Sequence, residues 1–594
     1  MRSMLPPLRL PARIPGVRTT VLLPLSLLFT AAALSAAVLG LIGILQVEEE
    51  RDLDLDGWDV AHGVVQLFTG QTPTALADDD TDVPLAYDIA KAIAPMSTAY
   101  AFVATATVLL SERWRLMRAR RARDHVIVCG GGRTGVFLSR ALATECPTVL
   151  VDHAAATEQV TTSLVRGIIP LSGDARDDVV LQRASLPRAR AVFAIADAAD
   201  VNAAVATTAR TLVLARATPL DCYALIDDPE LQIALQARFL GTEDTSAFRL
   251  HLLERDQVFA SAVVRDDAPD PRTATVVAGT GPLAVALAVE AAKALSSARR
   301  RGAPRPVLLA AGPHPDDLLS ALLGRLPHVA DDVELQTVPR AGAAPGAAVL
   351  DGGLASATAY VAGVTDAETL KAGLLWMQPG DRSVAKVVLC VDAETGIAGT
   401  LSTGLRRRRD DTGGLVRVHS RTLAVADPDH LREQVLTEKL ARGLHARFLR
   451  HAAETDPARS DAAVQPWDRL PETLRASNRA QAEHVAEKLA LLPCVVVPAG
   501  PALPTFAFTD DEVELLAEAE HLRWVEERVA AGFTFGLERT ERTHPDLVPW
   551  QDLSDAEQEK DRMFVRALPR VLAREGLALA RIRPRRPSAQ GLRV

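Results

Sequence analysis

Residues 124–135 read Asp124-His-Val-Ile-Val-Cys-Gly-Gly-Gly-Arg-Thr-Gly135, a short apolar run followed by closely spaced glycines. The apolar run suits a buried parallel strand, and the residues after the glycines suit the helix that follows such a strand. Gly130, Gly132 and Gly135 form the pattern G-x-G-x-x-G, which allows a tight turn, close approach of a pyrophosphate and helix–strand packing. The free N–H groups at the helix start favour phosphates. This stretch therefore predicts a nucleotide-binding Rossmann unit.

An acidic residue supports this prediction. A second apolar run, at 148–151, ends in Asp152, about 20 residues beyond the glycines, where a carboxylate binds a ribose hydroxyl and disfavours a 2′-phosphate. NAD(H) or an adenine nucleotide (ATP or ADP) is therefore preferred over NADP(H), although Asp152 as a solvated turn residue is the alternative. The candidate ligand-binding residues lie in the turn and at strand ends: Gly130, Gly131, Gly132, Arg133, Thr134, Gly135, Asp152, His153, Asp174, Ala175 and Asp197.

Two more apolar runs predict strands, and polar turns follow them at 173–175 (Gly-Asp-Ala) and at 197–202. With the glycine turn and Asp152, these features make residues 124–245 resemble the RCK or TrkA N-terminal domain, which regulates potassium channels and transporters. The resemblance implies that NAD(H), ATP or ADP binds at the glycine turn and moves an attached membrane part. A dehydrogenase needs a proton-relay residue near the nicotinamide, and none can be singled out, so we assign no catalytic residue.

A second, degenerate copy of the pattern is predicted at 270–425. An apolar run there leads into Gly279-Thr-Gly281-Pro-Leu-Ala284, a G-x-G-x-x-A turn, and a helical segment follows. The next predicted strand, at 306–311, runs into Gly-Pro and has no acid where Asp152 stands in the first copy. We expect this unit, similar to the second member of a tandem RCK pair, to serve packing or dimerisation.

The N-terminal region predicts two membrane-spanning helices. Residues 19–46 carry no charge and exceed the roughly 20 apolar residues that cross a bilayer, and a less apolar second span is predicted at 89–112. Arginines flank the spans within the basic segment 1–18 and at 113–123, whereas the loop 47–88 is strongly acidic. Because arginine clusters stay on the cytoplasmic side, both termini are expected inside a bacterial-type inner (plasma) membrane and the loop outside.

A short helix is predicted inside this loop, at 58–70 (WDVAHGVVQLFTG). Span, short helix and span is the layout of a minimal potassium-channel pore. A potassium filter needs stacked backbone carbonyls, as in TVGYG, and residues 68–72 offer only Phe-Thr-Gly-Gln-Thr. A re-entrant pore helix and a helix lying on the outer face therefore both remain open.

Composition narrows the class of protein. The formal net charge of −9 argues against a nucleic-acid binder, which carries a basic face. The five cysteines include no CxxC pair, which indicates a reducing compartment and predicts no metal site. The charged run at 405–410 is expected to be a solvated loop.

The pattern becomes helical after about residue 430. A helical extension is predicted at 430–500, where apolar residues recur at four-residue spacing in its first helix: Leu436, Leu440, Leu444 and Phe448.

A distinctive pattern follows the helical extension. It runs H-x-x-W at 521–524, G-aromatic-x-aromatic-G at 532–536, H-P-x-L-x-P-aromatic at 544–550 and a final acid, Asp561. Residues 508–582 thereby resemble the RyR domain, the repeat named for ryanodine receptors. The resemblance implies that this module senses a nucleotide-derived signal, as bacterial members are thought to do.

Aromatic faces beside arginines can sandwich a base and hold a phosphate. A structural core role is the alternative, and it is favoured for Trp524 and Leu547. The candidate residues for this second ligand are Trp524, Arg528, Phe533, Phe535, His544 and Trp550.

These observations predict an α/β cytoplasmic region of tandem Rossmann-like parallel sheets, two N-terminal transmembrane helices in contact with lipid, and an α-helical RyR module. We expect a homo-oligomeric regulator that is not an enzyme, in which nucleotides control the membrane helices and hence the passage of potassium or other cations. The alternative is a pore-less, membrane-tethered signalling or defence sensor that acts by assembly or partner binding. A membrane oxidoreductase that uses NAD is a third hypothesis.

Overall fold

The structure is a computed structural model that describes residues 19–51, 54–71, 84–153, 167–213, 216, 218–239, 247–300, 302–338, 357–376, 384–392, 415–500, 503 and 505–582. The basic segment 1–18, part of the acidic loop and the charged run at 405–410 lie outside the described residues. The chain forms two compact units, one that includes residues 1–121 and one that includes nearly all residues from 122 onward.

The described residues of the first unit include the helices α1 (Thr19–Arg51), α2 (Gly57–Thr69) and α3 (Leu85–Arg121). Both longer helices contact α2, and Leu67 of α2 and Tyr87 of α3 are fully buried in their common core. A side chain on Gly43 would come within 2.6 Å of Tyr87, so a glycine is needed where α1 crosses the start of α3. The predicted loop helix is present as α2.

One helix in the described part of the chain, over Leu27–Glu50, is long and apolar enough to cross a membrane. It lies within α1 and ends a few residues beyond the predicted span 19–46. The predicted second span, 89–112, forms part of the continuous helix α3, which is much less apolar than α1 because charged residues occupy both of its ends. A second span is therefore not confirmed and stays a prediction.

The second unit begins with the first Rossmann domain, whose helices in the described residues are α4 (Arg133–Leu142), α5 (Asp178–Arg183), α6 (Ala199–Leu212), α7 (Pro229–Phe239) and α8 (Arg255–Asp266). The strands are β1 (His125–Cys129), β2 (Thr148–Asp152), β3 (Ile168–Ser172), β4 (Ala189–Ala194), β5 (Leu220–Leu225) and β6 (Phe248–Leu253). They form one sheet in the order β3-β2-β1-β4-β5-β6, and β1 pairs in parallel with both β2 and β4. All five residues of β1 are buried, as a central parallel strand requires.

The second Rossmann domain repeats this topology. Its strands are β7 (Ala274–Gly279), β8 (Val307–Ala311), β9 (Glu334–Thr337), β10 (Ala357–Ala362), β11 (Val384–Val391) and β12 (Leu415–Ser420). Its helices in the described ranges are α9 (Pro282–Arg300), α10 (Pro315–Arg325), α11 (Val329–Asp332) and α12 (Asp366–Trp376). The strand order β12-β11-β10-β7-β8-β9 matches that of the first sheet strand for strand, which confirms the predicted tandem of Rossmann-like parallel sheets.

The rest of the unit is mainly helical. Short helices α13 (Arg421–Val425) and α14 (Pro428–Glu433) lead into the helical extension, which consists of α15 (Leu436–Thr455), α16 (Glu472–Glu483) and α17 (Val485–Ala490). Two long helices, α18 (Asp510–Ala530) and α19 (Asp555–Arg574), follow and share one core with the extension. Between these two helices lies a short parallel pair, β14 (Thr534–Phe535) and β15 (Thr543–His544).

The prediction of an all-helical last module is incomplete. Strand β13 (Cys494–Pro498) pairs antiparallel with β16 (Leu577–Arg581), the segment that follows α19. The alternation of buried Leu577 and Leu579 with more exposed neighbours is the two-residue period of a strand. The segment that forms β16, Leu577–Arg581, has only five residues and no β-branched side chain, so its sequence does not predict a strand.

Candidate functional site

The glycine turn connects β1 to α4 at the carboxyl edge of the first sheet. Gly130 adopts a φ of +117°, and its amide donates a 3.0 Å hydrogen bond to the carbonyl of Val151 at the end of β2. A Cβ on Gly135 would lie 1.8 Å from the carbonyl oxygen of Gly130. The first glycine therefore supplies the unusual backbone angle, and the third lets α4 lie directly against the turn.

Asp152 lies against this turn. The amide of Gly131 donates a hydrogen bond to Oδ2 of Asp152 at 2.6 Å. A Cβ on Gly131 would come within 2.8 Å of the Asp152 side chain, so only glycine leaves the carboxylate in this position. The structure thus brings together the glycines and the acid that the sequence analysis placed in one site.

The start of α4 has the donors that a phosphate requires. Gly132 is the N-cap residue of α4 and provides no side chain to accept hydrogen bonds from the amides of the first turn. The nearest atom to a Cβ built on Gly132 is a carboxylate oxygen of Asp197, at 4.0 Å, so the space beside this glycine is open. Arg133 is exposed there, whereas Thr134 is buried. Backbone amides at a helix N-terminus next to open space fit a phosphate-bearing nucleotide.

The other candidate residues at strand ends differ in their surroundings. His153, which follows Asp152, is exposed, and Ala175 is buried. Asp174 accepts a hydrogen bond from the amide of Arg176 and forms an ion pair with its guanidinium at 2.7 Å. The side chain of Asp197 is 93% exposed and lies 3.7 Å from Nη1 of Arg255. The structure therefore places Asp197 at the mouth of the turn, whereas Asp174 is engaged in a local ion pair.

Two residues absent from the candidate set position this edge of the sheet. Asn202 is buried, accepts a hydrogen bond from the amide of Ala196 and donates to the carbonyls of Ala196 and Leu225. It thereby ties the end of β4 to the end of β5. Arg255 is largely buried and also contacts Asp227 at 3.3 Å. The motif at 197–202 signals Asn202, but no local pattern signals Arg255, because its partners are remote in sequence.

The equivalent turn of the second Rossmann domain is closed by backbone packing. Gly279 has a φ of +158°, and a Cβ there would lie 1.7 Å from the carbonyl oxygen of Ala362. Gly312 stands directly after β8, where the first domain has Asp152 at the end of β2, and a Cβ on it would meet the carbonyl of Gly279 at 3.0 Å. This turn therefore presents tightly packed glycine backbone in place of a carboxylate.

In the last module, Arg528 lies between two aromatic rings. Its guanidinium carbon is 5.7 Å from the ring centroid of Trp524 and 5.4 Å from that of Phe533. The Trp524 ring also meets His544 edge-on, with a centroid distance of 4.8 Å. Burial, followed by the positive charge of Arg539, lowers the pKa of His544. Four of the six candidate residues for the second ligand thus form one cluster.

The remaining two candidates make no ring contact with Arg528, although Phe535 pairs with His544 in the short parallel pair of β14 and β15. Phe535 is 56% exposed. Trp550 is only 9% exposed and belongs to the core between the helices, where Gln558 donates a 2.7 Å hydrogen bond to its carbonyl. For Trp550 the structure therefore favours the core role over ligand contact.

Comparisons with known proteins agree with the motifs. The family model of the TrkA-N domain matches residues 126–242, and that of the RyR domain matches residues 508–581. Among solved structures, the GsuK channel is similar at 14% identity with a TM-score of 0.32, over 70% of this chain and 98% of that one. No sequence among the curated proteins matches.

Two ligand-bound structures are similar to the same extent. The GsuK channel bound to NAD matches at 13% identity with a TM-score of 0.32, over 72% of this chain and 85% of that one. GsuK bound to ADP matches at 16% identity with a TM-score of 0.29, over 69% and 96% of the two chains. From the family models, this chain contains a TrkA-N domain in its first Rossmann unit and a RyR domain over residues 508–581.

Proposed function

We propose that this chain is a membrane-anchored, nucleotide-responsive regulator and not an enzyme. NAD(H) or an adenine nucleotide binds at the glycine turn of the TrkA-N domain, and a nucleotide-derived signal binds the RyR domain. Ligand binding favours one of two conformations because the ligand has a higher affinity for it. The N-terminal helices respond, and the output is the passage of potassium or other cations through a homo-oligomer.

The contact between Gly131 and Asp152 carries the nucleotide part of this proposal. The amides at the start of α4 donate to the phosphates, and Asp152 accepts from a ribose hydroxyl. A 2′-phosphate would meet the negative charge of Asp152, so NADP(H) is disfavoured. The chain's own groups bind and orient the ligand, and no side chain at the turn is assigned a chemical step.

The Arg528 cluster supports the second ligand site. The guanidinium carbon of Arg528 lies over the rings of Trp524 and Phe533, and the N–H groups of this guanidinium can donate to a phosphate. A base would stack on the exposed ring of Phe535.

The exposed apolar side chains of α1 and α3 support a two-span anchor in contact with lipid. Leu27 and Leu34 of α1 are 67% and 65% exposed, and Phe102 and Val103 of α3 are 76% and 60% exposed. The arginines that flank the two proposed spans, within 1–18 and at 113–123, favour an orientation with both ends of the chain in the cytoplasm of a cell with an inner membrane.

A pore-less sensor that acts by assembly or partner binding is the second candidate function. One observation favours it, since Val60 and Leu67 of α2 are buried against the other two helices of the same chain.

Calorimetric titration of the full chain in detergent with NAD⁺, NADH, ATP, ADP and NADP⁺ tests the nucleotide site. We expect binding of at least one of the first four and weaker binding of NADP⁺. Asp152→Asn should reduce the affinity about tenfold or more and reduce the discrimination against NADP⁺. Asp178→Asn, an exposed acid at the start of α5, is the matched control. No heat with any of these ligands would refute the proposal.

Reconstitution in liposomes separates the two candidate outputs. Cation flux that changes on addition of the bound nucleotide supports the channel, whereas silent liposomes with intact nucleotide binding support the pore-less sensor. Turnover of NADH by the purified chain would refute the proposal that it is not an enzyme.

A further inference from the structure

A cavity of about 200 Å³ lies between the helical extension and α19, and it contains no residue of the two sites described above. Its apolar wall includes Leu444, Phe448 and Leu474, and its polar corner includes Asp561. A cavity of about 150 Å³ holds benzene, so this cavity has room for a molecule with one ring and a short side arm.

Asp561 is the acid of this corner, and its side chain is 23% exposed. Its nearest basic nitrogen among the described residues is Nδ1 of His521, at 4.0 Å. The other ring nitrogen of His521 donates a 2.7 Å hydrogen bond to the carbonyl of Val548. The Asp561 carboxyl therefore faces the cavity without a cation at hydrogen-bonding distance in the described part of the chain.

The buried charges next to Asp561 are already matched with one another. The Lys488 ammonium forms an ion pair with Glu520, and both side chains are almost completely buried. Arg523 pairs with Glu520 at 2.8 Å and with Glu527 at 2.6 Å. Two cations thus face two carboxylates, and the charge of Asp561 is left unbalanced when this group is ionised.

Two cations also line the cavity. Lys560 forms an ion pair with Glu557 one turn earlier on α19, whereas Arg447 lies 3.9 Å from Glu454, which is beyond hydrogen-bonding distance. Among the charged groups that line the cavity, Asp561 is the acid, and it has no cation at hydrogen-bonding distance in the described part of the chain.

We propose that this cavity binds a small organic cation whose ammonium or guanidinium group pairs with Asp561 and whose apolar body packs on Leu444, Phe448 and Leu474. Pairing with a carboxylate is what allows a cation to be buried at such a site. The final acid of the RyR pattern is then a ligand-binding residue. The proposal does not depend on the nucleotide sites.

The protonation of Asp561 is consistent with this assignment. Burial, followed by the charge of Glu520, raises the pKa of Asp561 to about 8, against the opposing influence of Lys488 and Arg523. At pH 7 the empty site then holds a neutral carboxylic acid. The other titratable groups near it are His521 and Glu557, together with the cavity-lining His445, Arg447 and Lys560. A cation that binds favours the carboxylate, so a proton leaves the protein as the ion pair forms.

Calorimetric titration of the full chain with tyramine and with its neutral isostere tyrosol tests the proposal. At pH 7 we expect tyramine to bind at least about tenfold more tightly than tyrosol. Two buffers of different ionisation enthalpy should reveal the release of about one proton. Equal binding of the two compounds, or the absence of tyramine binding to folded protein, would overturn it.

Three variants locate the site. Asp561→Asn should remove the preference for tyramine and the proton release, and Ala567→Leu should abolish binding by filling the cavity. Asp555→Asn makes the same charge change at an exposed position of α19 and should bind like the natural chain. NAD⁺ titrations on Asp561→Asn should be unchanged, which distinguishes failure here from failure of the nucleotide proposal. Unaltered tyramine binding by Asp561→Asn also overturns the proposal.

Discussion

The amide of Gly131 and the carboxylate of Asp152 meet at 2.6 Å although 21 positions separate them in the chain. The meeting follows from topology, because β1 and β2 are adjacent parallel strands and their carboxyl ends share one edge of the sheet. The turn that opens α4 and the acid that ends β2 are therefore one structural feature.

Gly132→Ala and Gly135→Ala should separate ligand binding from folding. A Cβ at Gly135 would overlap the carbonyl of Gly130 at 1.8 Å, whereas the nearest atom to a Cβ at Gly132 is 4.0 Å away. We expect Gly135→Ala to lower the thermal midpoint by several degrees. Gly132→Ala should melt like the natural chain yet lose nucleotide affinity, since its methyl group occupies the space of the phosphate. Equal melting of the two variants would contradict this account, and scanning fluorimetry with calorimetry checks it.

The buried pair of Lys488 and Glu520 should be asymmetric in its response to substitution. Glu520→Gln strands the fully buried Lys488 beside the Phe564 ring, and we expect a loss of about 3 kcal/mol or more in the free energy of unfolding. Lys488→Met should cost less, because Glu520 keeps Arg523 and the Gln481 amide as partners. Denaturant titration followed by tryptophan fluorescence measures both. If Lys488→Met lost more free energy of unfolding than Glu520→Gln, the predicted asymmetry of the pair would be wrong.

Glu575 should hold the RyR domain against the second Rossmann domain. It lies 3.2 Å from Lys293 of α9 and 3.6 Å from Lys439 of α15, and although burial raises its pKa, these two lysines keep that pKa below the usual range. Glu575→Gln removes the carboxylate beside the buried Lys439 and leaves Lys293 with Glu290 alone among the described residues, so we expect a loss of about 3 kcal/mol.

Hydrogen exchange on the same variant should be faster in α9 and α15. The control is Glu559→Gln, which removes a half-exposed partner of Arg566 and should cost less than about 1 kcal/mol. If faster hydrogen exchange were confined to α19, Glu575 would not be the residue that holds the RyR domain against the second Rossmann domain.

Glu254 should make the stability of the chain fall as the pH rises. Its two carboxylate oxygens accept hydrogen bonds from the amides of Asp256 and Gln257 at the start of α8. Burial, followed by the charge of Asp256, raises its pKa from 4.5 to about 7. The folded chain thus binds the proton more tightly, so this contribution is full below about pH 4.5 and is lost as the pH approaches 7.

Unfolding free energies measured between pH 5 and 8 should therefore be less pH-dependent in Glu254→Gln. Glu512→Gln provides a contrast of opposite sign, because the hydrogen bond from Arg581 is the main cause that lowers the pKa of Glu512 to about 2. Its contribution is present above about pH 4.5 and is lost toward pH 2. An unchanged slope in Glu254→Gln would refute the assignment.

Local patterns were sufficient to predict the two Rossmann sheets. Alternating apolar runs and glycine turns predicted both Rossmann sheets, because strands, turns and helix starts each need particular residues at short spacing. The spacing of aromatic residues, glycines and prolines at 521–561 likewise identified the RyR domain. The second span was harder, since α3 carries charges at both ends and its apolar stretch falls short of that in α1.

The chain's amino-acid order by itself determined that a glycine turn and an acid exist at the ends of successive strands, because such motifs depend on residues close together in the chain. Only the tertiary structure decided that Asp152 touches Gly131, that Trp550 is core and that Asp561 faces a cavity. These facts depend on contacts between remote segments. Burial, charge pairing and open space at a residue are properties of everything packed around it, and local spacing does not encode them.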